Sequence, residues 1–191
     1  MTDHTAASAR PATEDWLKGY YFTRAGFSFL WPLAVLIIGQ RSPGASAVLL
    51  VCYPAWDALC NLIDANRHGG LRRSPTQFFN VVASGLVAAA LAIALPDMYR
   101  VLGVFGVWAI VSGLLQLGTA LRRWKLYGAQ WAMVLSGAQS ALAGGVFIFQ
   151  AQLPAVPTVA SLAGYAGFGG FYFLLSALLL TVRAWRRDRA S

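Results

Sequence analysis

The chain has few charged residues and very few acids. Charged residues make up 12% of its 191 residues, with 15 Lys and Arg against 7 Asp and Glu. In a typical soluble domain about one-quarter of the residues are charged. Hydrophobic residues reach 58% and are gathered in long blocks, most of which have no polar face for water. The shortage of charge therefore argues against a soluble globular domain.

Cysteine and histidine are also scarce, with two of each. Cys52 and Cys60 lie in one apolar block, where helical spacing would separate them by about 12 Å, too far for a disulfide. Both are expected to be small buried hydrophobic residues. Neither His4 nor His68 has a partner at metal-ligand spacing, and no Walker loop, HExxH or GxSxG motif is present. These absences predict a non-enzymatic protein with no catalytic residues, cofactor or metal site.

The N-terminal segment lacks the pattern of a cleavable signal peptide. It reads MTDHTAASARPATEDW, which is polar and of mixed charge. Residues 1–13 are expected to be disordered. Residues 14–26 mix aromatic and charged side chains, which suits an interfacial helix at the lipid headgroups, and a plain linker fits equally well. The expectation is a cytoplasmic segment over residues 1–24 and a first span that stays in the membrane.

Six apolar blocks follow this segment. Most reach the roughly 20 residues that a helix needs to cross about 30 Å of hydrocarbon. A membrane β-barrel would alternate apolar and polar residues, whereas these runs are continuous. The predicted fold is an all-α, six-span transmembrane bundle over residues 25–185, followed by a basic tail over 186–191. The expected spans are about 25–40, 45–64, 78–95, 101–121, 129–149 and 159–182.

Basic residues are concentrated in alternate linkers. All Lys and Arg except Arg41 and Arg100 lie in the N-terminal segment, the turns after spans two and four, and the C-terminal tail. Because Lys and Arg resist translocation, these segments are expected on the cytoplasmic side, together with both termini. Their placement between apolar blocks, and not along one polar face, argues against nucleic acid as a partner.

The even-numbered blocks resemble one another. Residues 102–123 and 166–187 align with matching glycines, a matching serine and a shared Arg-Arg end, and the odd-numbered blocks share a Ser-Gly pair at 84–85 and 136–137. The pattern predicts three parallel helical-hairpin repeats. Such repeats occur in transporters, and they also serve as plain packing modules.

Residues 106–145 (GVWAIVSGLLQLGTALRRWKLYGAQWAMVLSGAQSALAGG) resemble the HdeD family of bacterial acid-resistance membrane proteins. The shared pattern is G-x-W-x-x-x-x-G, an Arg-rich turn and W-x-x-x-x-x-G. Its places are held by Gly106, Trp108, Gly113, Arg122, Arg123, Trp131 and Gly137. The resemblance covers about residues 25–187 and departs most in the first hairpin, which has Pro32 and Pro54. It implies six spans, a bacterial inner (plasma) membrane location and a role in stress, with no established chemistry.

Polar residues interrupt two of the spans. A charged Asp57 inside span two would cost about 2.5–3.5 kcal/mol on the insertion scale, so it is expected to be neutral or paired. Asp64, near the cytoplasmic end, is expected to pair with Arg67. The candidate intramembrane polar stripe consists of Tyr53, Asp57, Asn61, Ser112 and Gln116. Two interpretations stay open: a path for protons or a solute, and hydrogen bonds between helices worth about 0.6 kcal/mol each.

Small residues and basic helix ends supply two further sets of candidates. The candidate helix-packing residues are Gly103, Gly106, Gly113, Gly137, Gly167 and Gly170. The candidate lipid-headgroup contacts are Arg122, Arg123, Arg186 and Arg187.

The favoured functional prediction is a multi-pass inner-membrane protein of the HdeD type, acting in acid or envelope stress. The alternative is a small transporter or channel subunit with a polar path past Asp57. That alternative requires a water-filled cavity lined by Asp57, Asn61, Ser112 and Gln116, and a dry bundle would count against it. Membrane lipids are the expected partners. A homo-oligomer, and a small solute or proton, are left open.

Overall fold

The structure is a computed structural model that describes the backbone of residues 3–95 and 97–189, and the side chains of residues 14–95, 97–187 and 189. Within these residues, six helices are long and apolar enough to cross a membrane. They are α1 (Asp3–Ile37), α2 (Pro43–Arg67), α3 (Pro75–Ala94), α4 (Met98–Arg123), α5 (Gln130–Gln150) and α6 (Ala163–Asp188). Short 3-10 helices at Gly39–Arg41, Leu71–Arg73 and Val159–Leu162 occupy turns. The predicted all-α, six-span bundle is confirmed.

Local sequence signals place several helix starts. Helices α2 and α3 begin at Pro43 and Pro75, where the missing N–H is not needed and the fixed φ suits a first turn. The Ser42 side chain caps α2 by accepting from the Ala45 N–H at 3.3 Å. Asp97 caps α4, accepting from Tyr99 N at 2.9 Å. These caps start α2 and α4 within a few residues of the ends of α1 and α3, so the turns between these helices are short.

The six helices pack as a ring. Each helix contacts the next along the chain, and α6 closes the ring against α1. The most extensive contacts are those of α4 with α5, α1 with α6, and α2 with α3. Two of these pairs are joined by the Arg-rich turns, which lie at what we call the basic end. The hairpins of the predicted repeat are α1–α2, α3–α4 and α5–α6, and none of them is among the three most extensive contacts. The three-repeat organisation stays a prediction.

Helix α1 is longer than expected. It runs from Asp3 to Ile37, so the disordered segment expected over 1–13 and the separate interfacial helix or linker expected over 14–26 are replaced by one helix; residues 1 and 2 lie outside the described residues. Leu17, Tyr21 and Ala25 recur every four residues and are buried in one cluster with α6 side chains. This apolar face draws the segment into the bundle.

The bundle is apolar on its outer face, and its interior contains apolar clusters together with a set of buried polar side chains. In each span only 28–44% of the most apolar stretch is buried, so most of its outer face is left for lipid. Large side chains such as Leu86, Ile93 and Leu142 are exposed there. Cys52 is exposed while Cys60 is buried, and both are free. The expectation that both cysteines are buried is wrong for Cys52, because it lies on the exposed side of α2.

Helices α4 and α5 approach each other at glycines. A Cβ added at Gly106 would lie 2.7 Å from the carbonyl oxygen of Gly144, and one at Gly113 would lie 2.6 Å from that of Gly137. Any larger residue would force the two backbones apart, which is the reason that small residues favour close helix contacts in membranes. Gly106, Gly113 and Gly137 therefore pack as predicted.

The remaining packing candidates differ. A Cβ at Gly170 would lie 3.1 Å from Ser28 Cβ, a tight contact between α6 and α1. At Gly103 and Gly167, by contrast, a Cβ would meet no atom within 4 Å. The packing prediction is wrong for these two glycines, because no neighbouring helix approaches the faces on which they lie.

The contrast between Gly106 and Gly103 gives a matched test on one helix. We expect Gly106→Val to destabilise the protein by about 1–3 kcal/mol or more through overpacking, whereas Gly103→Val should change stability little. Thermal unfolding of both variants in detergent measures the difference. Equal losses would contradict the close approach of α4 to α5.

Candidate functional site

A buried ion pair lies near the middle of the bundle. The Arg24 guanidinium on α1 donates to Asp57 Oδ1 on α2, and the two side chains are 13% and 9% exposed. Asp57 is about 15 Å along α2 from Arg67 at the basic end, which is half of a hydrocarbon core about 30 Å thick. The expectation that Asp57 is neutral or paired is met by pairing.

Arg24 is held by aromatic neighbours as well as by Asp57. Its NH1 donates to the Tyr20 hydroxyl at 3.1 Å, and its Cζ lies 4.3 Å from the centroid of the Phe173 ring. Cation–π contacts of this kind favour a guanidinium that has left water. The distribution of basic residues predicts a place for Arg24 in the cytoplasmic segment. That prediction is wrong because the buried face of α1 continues through residue 24 and brings its side chain to Asp57.

The second carboxylate oxygen of Asp57 faces α3. Ser84 Oγ lies 3.1 Å from Asp57 Oδ2 and 2.9 Å from Asn80 Oδ1, and it accepts from Trp108 Nε1 on α4 at 2.8 Å. A hydroxyl has one proton, so Ser84 donates to one of the two oxygens at a time. This network joins α3 and α4 to the ion pair between α1 and α2.

A second acid lies nearer the basic end. Asp64 accepts from Arg123 NH2 at 2.9 and 3.0 Å and from Gln77 Nε2 at 2.9 Å, and His68 Nδ1 lies 3.0 Å from its Oδ1. The predicted partner Arg67 does not supply these contacts. Arg67 is exposed, whereas Arg123 reaches inward from the end of α4 to the buried carboxylate.

The four arginines predicted to contact lipid headgroups differ in their surroundings. Arg123 is paired inside the bundle and its side chain is 12% exposed, so the prediction is wrong for it. Arg122 donates to Thr76 and, at 3.2 Å, to Gln77 Oε1. Arg187 pairs with Glu14, while Arg186 is exposed. Inward-facing acceptors on other helices account for these differences, and sequence spacing could not show them.

Two adjoining cavities lie inside the ring. The first has a volume of about 50 Å³ and is lined by all six helices. The second, of about 40 Å³, lies toward the Asp64 cluster. Both are lined by Arg24, Asn80, Gln116 and Phe173, which therefore lie between them. Each cavity has several polar side chains in its lining and room for water. Each helix contributes at least one polar residue to the lining of the first cavity, among them Ser28, Asp57, Asn80, Ser112, Ser136 and Tyr165.

The structure gathers the whole candidate stripe around this interior. Tyr53, Asp57 and Ser112 line the first cavity, Asn61 lines the second, and Gln116 lines both. Some of the stripe also bonds protein: Asn61 Nδ2 donates to the Asp57 carbonyl at 2.9 Å, and Gln116 Nε2 donates to the Met133 carbonyl at 3.3 Å. Both interpretations of the stripe therefore have a structural basis.

Sequence reasoning missed the partners of Asp57. Arg24 follows Tyr20 by four residues, and Asn80 precedes Ser84 by four in an otherwise apolar span. Each pair places two polar side chains on one helix face. This spacing could have marked α1 and α3 as further contributors to the polar interior.

An apolar layer closes the interior from the end opposite the basic end. We define this layer as Val35, Leu50, Leu102, Phe105 and Leu162, each at most 1% exposed and all in one cluster. Beyond it, a depression of about 810 Å³ is lined by residues of the turns at that end, and Leu50 lies at its boundary. The polar cavities and the depression are thus separated by packed hydrocarbon.

No protein-family model, no curated protein and no solved structure matches this chain. Within the described residues, no group of three or more His, Cys, Asp or Glu side chains is placed to hold a metal ion. The function must therefore be inferred from the geometry of the polar interior.

The ion pair predicts a strong asymmetry between single and double substitutions. Arg24→Ala alone should cost about 3–5 kcal/mol, because it leaves a buried carboxylate without its partner. Arg24→Ala combined with Asp57→Ala should cost much less than the sum of the two single changes. Unfolding of the four proteins in mixed detergent micelles measures the coupling, and additive losses would contradict the pairing.

Proposed function

We propose that this chain is a multi-pass protein of the bacterial inner membrane that forms a path for a small polar solute past Asp57, as a small transporter or channel subunit. The observation that carries the proposal is the polar interior at mid-depth, to which every helix contributes. Both termini and the basic end face the cytoplasm in this proposal, in keeping with the distribution of Lys and Arg.

Packing alone is a poor reason for such an interior. A buried ion pair is often no more stabilising than hydrophobic residues of the same size, and hydrogen bonds between membrane helices contribute about 0.6 kcal/mol each on average. Ionisable residues inside a membrane commonly mark the route of a solute, an ion or a proton. Arg24 and Asp57 border a cavity, as such a route requires, and are not sealed in a dry contact between two helices.

The apolar layer closes one end of the polar interior. The second cavity extends toward the Asp64–Arg123 cluster at the basic end, while the apolar layer separates the first cavity from the opposite end. An occluding layer on one side of a central site is what a transporter or gated channel needs between transport events.

Resemblance to the HdeD family supports a place for this path in acid or envelope stress. The residue on which this role would depend is Asp57, whose carboxylate pairs with Arg24 beside the first cavity. The protein acts without enzymatic chemistry in this proposal.

Thiol labelling tests the water path. In a Cys52→Ala, Cys60→Ala background, we expect Ser112→Cys to react with a small hydrophilic thiol reagent added from the cytoplasmic side, because Ser112 lines the first cavity. Leu114→Cys, on the exposed face of the same helix, should lie in lipid and resist the reagent. If Ser112→Cys is as unreactive as Leu114→Cys, or reacts only from the other side, the proposed path is wrong.

Survival at low pH tests the stress role. In a strain that lacks the native gene, we expect the wild-type chain to restore survival in acid and Asp57→Asn to fail, because the amide cannot hold the charge that pairs with Arg24. Asp15→Asn, in an exposed pair with Lys18, is the matched control and should behave as wild type. Full rescue by Asp57→Asn, at equal protein level, would rule out a role for this carboxylate.

A further inference from the structure

We propose, resting on the path past Asp57, that its solutes are small uncharged molecules that form hydrogen bonds, namely water and molecules of the size of urea. The same path rejects ions. The inference comes from three properties of the interior: its balance of charge, the chemistry of its lining and its size.

The charges of the interior are matched in pairs. Among the described residues lining the two cavities, Asp57 pairs with Arg24 and Asp64 pairs with Arg123. An entering ion therefore finds no unmatched charge to replace its lost hydration. The pairs also present both signs along the route, so a cation must pass the Arg24 guanidinium and an anion must pass the Asp57 carboxylate. A fixed arginine in a narrow pore is an established kind of barrier to cations and protons.

The rest of the lining consists of neutral groups. Ser112, Ser136 and Gln139 line the first cavity, and hydroxyl and amide groups of this kind both donate and accept. Trp56 lines the same cavity, and its Nε1 is buried with no acceptor among the described residues. An N–H group without an acceptor can donate a hydrogen bond to the oxygen of a water molecule or of a carbonyl group.

The size of the cavities sets an upper limit on the size of the solute. Volumes of about 50 and 40 Å³ hold a few water molecules at most. Arg24 lies between the two cavities, with its guanidinium over the Phe173 ring. We therefore expect sugars and amino acids to be too large for this path, and water and molecules of the size of urea to be the solutes that pass.

Passage to the far side requires the apolar layer to part. Phe105, with 0% exposure, is its largest member and contacts the rings of Trp108 and Tyr165 at centroid distances of 5.0 and 5.7 Å. A constriction of hydrocarbon side chains stops conduction by excluding water. Replacing Phe105 by a smaller residue should therefore open the path without changing the polar lining.

Flux through reconstituted vesicles tests the solute class. The purified full chain is placed in liposomes as wild type, Phe105→Ala and Phe105→Leu, the last keeping most of the buried volume in case alanine unfolds the protein. Light scattering after osmotic steps measures water and urea, and trapped dyes measure protons and potassium ions. We expect one or both Phe105 variants to raise water and urea permeability severalfold over empty liposomes, with no rise in ion flux.

Variants on α4 provide the control. Ser112→Leu, combined with the open Phe105 variant, should remove the rise because it fills the first cavity, whereas Leu114→Val on the exposed face should not. Ion flux that Ser112→Leu blocks would overturn the solute class while leaving the proposed path in place. Absence of water and urea flux in every folded variant would also overturn the inference, and thiol labelling of Ser112→Cys would then decide separately whether the path exists.

Discussion

A charge buried in a bilayer must have its partner inside the protein, and the ion pair of Arg24 with Asp57 meets that requirement here. The pair links α1 to α2, two neighbours whose backbones make little direct contact. Other side chains join these helices as well: Phe27 stacks on Trp56 with centroids 4.7 Å apart, and Trp31 Nε1 donates to the Leu49 carbonyl at 2.8 Å. The ring of helices thus closes at this point through side chains.

The contrast with α4 and α5 shows two solutions to helix association in lipid. Glycines let those backbones approach so closely that a Cβ at Gly113 would collide with Gly137. Between α1 and α2, larger side chains hold the helices apart and leave space between them and the rest of the ring. Close packing on one side and side-chain bridging on the other together leave the interior space that the polar residues line.

The buried ion pairs and the apolar layer lie at different depths along the axis of the bundle. Asp57 and Asp64, with their partners, occupy the middle and the basic end, while Val35, Leu50 and Leu162 fill the opposite end. This arrangement gives the proposed path a direction, because the ion pairs lie on one side of the apolar layer and the depression lies on the other. For the proposed path, opening at the apolar layer would require only the packed side chains around Phe105 to move.

The sequence by itself determined the helical class, the number of spans and the residues of the polar stripe, because long apolar runs and face spacing follow from local physics. Only the tertiary structure decided that Arg24 leaves the basic end to pair with Asp57, that Arg123 and not Arg67 meets Asp64, and that Gly103 faces no helix. Those outcomes depend on which faces of distant helices meet. Spacing within one helix shows which residues share a face, but only packing shows what that face touches.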